Sequence, residues 1–129
     1  MLSGSRRNKG NQFEYNVEYS LKTCYPDIRA LERRGFARGY DLISNEYKVA
    51  IECKFHQSIV WNELLKIYHT IEKRAENNFA CVVFKTNRQP VLVFNGSSIV
   101  PFESYFGVPF KIRPKGYKEE KNDNSSRMG

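Results

Sequence analysis

Three residues concentrate the chemistry of this chain: Asp41, Glu52 and Lys54. Glu52 and Lys54 lie two apart in Val49-Ala50-Ile51-Glu52-Cys53-Lys54-Phe55, a strand-forming run, so both side chains project from one face. Asp41 stands near the start of a preceding strand, and a hairpin turning around Ser44-Asn45 brings it beside Glu52. Two carboxylates so placed make a hard-oxygen site suited to Mg2+, with the backbone carbonyl of Cys53 as a further ligand between them. An ammonium next to the metal orients an attacking water and offsets charge developing on a phosphate. The combination suits hydrolysis of a phosphodiester. Taken singly, each residue also reads as an ordinary strand-surface or turn charge. The apolar run around Glu52 and Lys54 argues otherwise, because such a strand belongs at the centre of a sheet, where solvated charge pairs are unusual.

The elements that must position these residues follow from periodicity. Phe13, Val17, Leu21 and Cys24 recur at helical steps, predicting a helix from 11 to about 25 that Pro26 ends. Residues 28–33 read as a short strand or turn, and Gly35 and Gly39 bracket an arginine-bearing loop. Two hairpin strands are expected at 40–44 and 46–56. In the second, Val49, Ile51, Cys53 and Phe55 point one way and Lys48, Ala50, Glu52, Lys54 and His56 the other, with only one of the two faces expected to be core. Ile59, Val60, Leu64, Ile67, Tyr68, Ile71 and Ala75 predict a long amphipathic helix over 59–77. Strands at 79–84 and 91–94 flank a turn at 86–90, Asn95 to Ser98 turns again, and a short helix starts at Pro101. The order predicts one α/β domain over residues 11–110, a central mixed β-sheet flanked by helices, with a basic flexible arm at 1–10 and a basic tail at 111–129.

The 129 residues carry a net charge of +7, of which +3 lies in residues 1–10 and +3 in 111–129. Terminal excess of this kind suits a polyanion such as DNA or RNA. Within the body, Arg29, Arg33, Arg34 and Arg38 form the one local basic cluster. Cys24, Cys53 and Cys81 are odd in number and lack C-x-x-C spacing, so they read as free thiols, and His56 and His69 are too few and too far apart for a zinc cluster. No apolar run approaches the 18 or so residues of a membrane span, and no apolar stretch follows Arg6-Arg7, so the expectation is an intracellular protein without a membrane partner.

Gly39-Tyr40-Asp41-Leu42-Ile43 followed by Ala50-Ile51-Glu52-Cys53-Lys54 resembles the core of the restriction-endonuclease-like superfamily of PD-(D/E)xK nucleases, with Tyr40 in place of the Pro. Within it, Lys9-Gly10-Asn11-Gln12-Phe13-Glu14 resembles the head of the archaeal Holliday junction resolvases, which begin with a basic arm, a Lys-Gly pair and a Glu four residues after the Gly. A Gly-aromatic pair, here Gly35-Phe36, and a hydrophobic strand ending in Lys, here Val82-Val83-Phe84-Lys85, continue the likeness over roughly residues 6–106. The basic segment before the Asp, residues 32–39, is shorter than in those enzymes. The resemblance implies a single restriction-endonuclease-like domain in which Asp41 and Glu52 bind catalytic Mg2+, with Mn2+ as a substitute. It further implies that Lys54 supports the nucleophile and that Glu14 completes the acidic site. Cleavage would leave a 5′-phosphate and a 3′-hydroxyl. The implied partners are branched or double-stranded DNA, contacted by Arg6, Arg7, Lys9, Arg33, Arg34 and Arg38, and a second copy of the chain, because a two-fold protein matches a two-fold junction.

Glu14 and Glu18 share a helix face apart from the apolar stripe, where two like charges gain only if a cation or basic partner joins them. Glu14 is the choice for the site and Glu18 an auxiliary. His56, Gln57 and Ser58 read first as a strand-to-helix connection and second as phosphate or water contacts. Trp61, Tyr68, Phe102, Tyr105, Phe106 and Phe110 read as core or interface, the C-terminal group suiting a dimer contact. The competing functions are a nuclease of the same fold acting on linear duplex or nicked DNA, and a DNA-binding relative that does not cut. The second is disfavoured because a pure binder gains nothing from carboxylates facing a polyanion.

Overall fold

The computed structural model describes residues 2–30, 41–75 and 78–117, with side chains from residue 12 onward in those ranges. Helix α1 (Leu2–Leu21) leads into β1 (Arg29–Ala30), β2 (Leu42–Ser44), β3 (Val49–Phe55), α2 (Trp61–Ala75), β4 (Phe79–Lys85), β5 (Leu92–Phe94), β6 (Ile99–Pro101) and α3 (Phe102–Phe106). The six strands form one sheet in sequence order. Only the central pair, β3 and β4, is parallel, joined by the α2 crossover, and every other neighbouring pair is antiparallel. This is the mixed α/β sheet with flanking helices expected from the sequence.

Both faces of β3 are covered, contrary to the expectation that one would not be core. Ala50 and Ile51, on opposite faces, are each fully buried. On one face Phe13, Val17 and Leu21 of α1 pack with Ile51, Cys81, Val83 and Val93. On the other Leu64, Ile71 and Ala75 of α2 pack with Ala50, Val82, Phe84 and Phe94. A parallel pair needs helices on both sides, so the charged residues of β3 emerge only past Ala50.

Four boundaries differ from expectation. Residues 45–48 are turn, so β3 begins at Val49 and not at 46, and this longer turn is what sets Asp41 opposite Glu52. Helix α1 begins at Leu2, so the backbone of residues 2–10, expected as a flexible arm, is its first half, and it closes at Leu21, where the Cys24 and Tyr25 N–H groups donate to the Leu21 carbonyl. Strand β6 was not anticipated, being three residues on the sheet edge and ending in Pro101, which lacks the N–H that would continue a ladder. It follows an Asx turn in which Asn95 Oδ1 accepts the Ser97 and Ser98 N–H groups, and Gly96 has φ +100° and lies against Tyr68, where a Cβ would stand 2.6 Å from the ring. Finally, residues 111–117, expected as part of a tail, form a strap on α1. Ser20 Oγ donates to the Lys111 carbonyl and accepts the Lys111 N–H, and Asn16 Oδ1 accepts the Arg113 N–H at 2.8 Å. Asn16 and Ser20 are buried, and the Arg113 guanidinium stacks on Tyr15 with Tyr117 against Tyr19.

The C-terminal aromatics are mostly internal. Phe102 is buried and contacts Phe106 and Phe110, and Phe110 meets Phe13 of α1, so they close the core beneath α1, and of Phe102, Tyr105, Phe106 and Phe110 only Tyr105 is exposed. Trp61, read as core or interface, is half exposed.

Candidate active site

The β2–β3 hairpin sets the site's register. Ser44, fully buried, donates from Oγ to Asp27 Oδ1 at 2.6 Å and accepts the Tyr47 N–H, while the Glu46 N–H donates to Asp27 Oδ2. Burial works against the Asp27 carboxylate, but the hydrogen bonds from Ser44, Glu46 and Asn45 outweigh it and hold its pKa below the usual value. Lys48 adopts φ 55°, the left-handed conformation that lets the chain reverse into β3.

With the turn fixed, Leu42 pairs with Ile51, and one step further along the ladder Asp41 falls opposite Glu52. The Asp41 N–H donates to the Ile51 carbonyl at 2.8 Å, and Asp41 Oδ2 accepts the Cys53 N–H at 2.9 Å. The pairing of Asp41 with Glu52 expected from the hairpin is therefore present, and the Cys53 amide that locks Asp41 is a contact no side-chain pattern announces. Lys54 Nζ stands 3.1 Å from Glu52 Oε2, with the lysine 31% exposed and the glutamate 14%.

The electrostatics of Glu52 follow from this crowding. Burial, then the Asp41 charge, push its pKa up to about 7 against a partial offset from Lys54, and a hydrogen bond with Asp41 raises it further. Near neutral pH Glu52 is thus held partly protonated beside Asp41. A pair that retains a proton for want of positive charge is suited by its chemistry to a hard divalent cation in that proton's place.

Glu14, partly buried on α1, follows Phe13, whose ring meets Phe55 of β3 at 5.7 Å. Its charge reaches the Cys53 thiol, which burial first, then Asp41, Glu14 and Glu52, raise well above the ordinary value. Glu14 is thus near Cys53 on the α1 side of the sheet, whereas Glu52 and Lys54 alternate to the side of Ala50. Among the described residues no group of three or more His, Cys, Asp or Glu side chains is arranged to hold a metal ion. Glu18 lines a cleft with Tyr15, Lys22 and Arg113, under the strap.

His56 and Gln57 tie the end of β3 to its neighbours. His56 Nδ1 lies 3.8 Å from Glu63 Oε2 of α2, its N–H donates to the Lys85 carbonyl, and the Gln57 carbonyl accepts the Asn87 N–H. Of the expected DNA contacts, the side chains of Arg6, Arg7 and Lys9, and the whole of Arg33, Arg34 and Arg38, lie outside the described residues. The three cysteines are free, and Cys81, fully buried, is pushed up to about 12 by that burial. No described helix is long and apolar enough to cross a membrane.

No family model matches the chain, and no curated protein matches it. Among solved structures, the chain is similar to Hjc of Archaeoglobus fulgidus, a Holliday junction resolvase from an archaeal hyperthermophile, at 17% identity over 80% of this chain and 99% of that one, with a TM-score of 0.49.

Proposed function

We propose that the protein is a divalent-metal-dependent endonuclease that hydrolyses phosphodiester bonds in DNA, with four-way junctions as its preferred substrate. The observation that carries the reading is the Asp41–Glu52 pair, in which one carboxylate is fixed by a backbone amide and the other is buried against it with a raised pKa and an ammonium at 3.1 Å. Nothing in packing accounts for pressing two carboxyls together on a central strand, whereas a cation does.

The donor set fits Mg2+. Asp41 and Glu52 would hold it, with the Cys53 carbonyl between them and water and phosphate oxygens taking the remaining positions, Glu14 of α1 acting from outside that pair. The bound ion supplies Lewis acidity toward the phosphate and lowers the pKa of water. The chain's own part is positional. The Cys53 amide keeps Asp41 from rotating away, and Lys54 orients the attacking water and offsets charge on the phosphate oxygens. The preference for junctions rests on the Lys9-Gly10 to Glu14 motif, and the basic residues Arg6, Arg7, Lys9, Arg33, Arg34 and Arg38 are read as phosphate contacts that select a shape and not a sequence. A homodimer would present two sites to the two strands of a junction.

The test is cleavage of a labelled four-way junction beside a duplex, a flap and a single strand of matching sequence, in Mg2+ or EDTA, with Glu52→Gln as control. Paired Mg2+-dependent cuts in the junction alone establish the reading. Cutting of every substrate retains the nuclease and removes the junction preference, and binding without cutting overturns catalysis.

A further inference from the structure

Trp61 opens α2 with half of its surface in solvent, and Val60 before it is 63% exposed. The indole makes a T-shaped contact with Phe94 at 5.2 Å between ring centroids. Phe94 is fully buried in β5, so the anchor is rigid.

The register of the sheet tells where that indole stands. Glu52 pairs with Val82, and Val82 pairs with Phe94, so the three form one cross-strand row whose side chains project from the same face. Trp61, seated on Phe94, lies on the face that carries Glu52, and two strand spacings separate the row's ends by roughly 10 Å. The first turn of α2 spans that gap, with Glu63 against His56 at the β3 end and Trp61 at the β5 end. The major groove alone is about 12 Å wide, so a DNA segment lying over Asp41 and Glu52 covers both ends.

An isolated exposed apolar residue is ordinary. Here an indole is held rigidly by a buried ring, beside a second exposed apolar residue, on the face of the carboxylate pair, and a π surface so placed can take a nucleobase. A base within continuous duplex is already stacked on its neighbours and gains nothing from the indole. A base at a branch point, flap or frayed end has lost a neighbour.

Resting on the nuclease reading above, we propose that Trp61, flanked by Val60, is a stacking platform that receives an unstacked nucleobase of the bound DNA and thereby favours branched substrates over continuous duplex. The platform selects substrate shape and takes no part in hydrolysis.

Because Trp61 is the only tryptophan of the chain, its fluorescence reports this contact alone. The full protein is titrated in EDTA with a labelled four-way junction and with a duplex of matching sequence, occupancy being followed separately by anisotropy of the DNA label. Quenching at saturation by the junction and not by the duplex supports the platform. Trp61→Ala should lower the junction-to-duplex affinity ratio roughly tenfold, and Trp61→Phe, which keeps an aromatic face and the contact with Phe94, should retain most of it. Full occupancy by the junction with unchanged emission, or an affinity ratio unaltered in Trp61→Ala, overturns the platform while leaving the nuclease reading intact. Absence of binding to any DNA overturns both, and Glu52→Gln cutting like the unaltered protein overturns the nuclease reading whatever the fluorescence shows.

Discussion

Glu52 carries a free-energy cost that the proposed metal site would explain. Its pKa is about 7 in the folded chain against an ordinary 4.5, so between those values the folded state holds a proton that the unfolded state has lost, and stability falls as pH rises through this window. The full cost, present above pH 7, is on the order of 3 kcal/mol. Glu52→Gln should therefore stabilise the metal-free protein at pH 8 relative to pH 5 and flatten that decline, as followed by urea denaturation at the two pH values. An unchanged pH dependence would place the destabilising group elsewhere. The same substitution should abolish cleavage and the rise in melting temperature on adding Mg2+. If a cation takes the proton's place, Mg2+ affinity should rise as pH increases from 6 to 8, measurable by calorimetry together with proton release. Lys54→Ala should lower turnover more than DNA affinity and move the pH profile upward, since it removes the charge that offsets the burial of Glu52. Equal losses in turnover and affinity would instead mean that Lys54 positions DNA.

At the scale of elements, two constructions hold the site. The Asp27–Ser44 network fixes the turn that sets Asp41 opposite Glu52, and a one-residue slip there would move Glu52 and Lys54 to the other face. The strap over residues 111–117 holds α1, which brings Glu14 to β3. Asn16→Ala and Ser20→Ala each remove a buried side chain's hydrogen bonding to the strap backbone and should cost about 1–3 kcal/mol, read by thermal or urea unfolding. Trypsin should then cut the double variant first after Lys111 or Lys115, the Arg113–Pro114 bond being resistant. Cleavage there at the rate of the unaltered protein would show that the strap is held by its aromatic contacts alone.

For the whole molecule, charge is the governing quantity. The described body places Lys66, His69, Lys73 and Arg74 along the outer face of α2, while Arg6, Arg7 and Lys9 in the first half of α1 add a local excess of +3. If those three neutralise DNA phosphates, replacing them together by Ala should weaken binding to every DNA shape and reduce the slope of log affinity against log salt by up to about 2.7. An unchanged slope would mean that they face solvent in the complex. The expected second copy of the chain is tested by sedimentation with and without junction DNA, a two-fold complex being the expected species.

The sequence by itself determined what is written in near neighbours. Period-two alternation puts Glu52 and Lys54 on one side of β3, the hairpin pairs the strand of Asp41 with that of Glu52, and helical spacing marks the stripes of α1 and α2. Each depends on residues a few positions away, so each is legible without knowing the rest of the chain. Only the tertiary structure decided what covers what. That both faces of β3 are buried, that burial raises Glu52, that residues 111–117 lie on α1 and that Trp61 is left half in solvent all depend on partners tens of residues distant. Burial is a property of that assembly, and the same Glu-x-Lys on a solvated strand would hold two ordinary charges and no site.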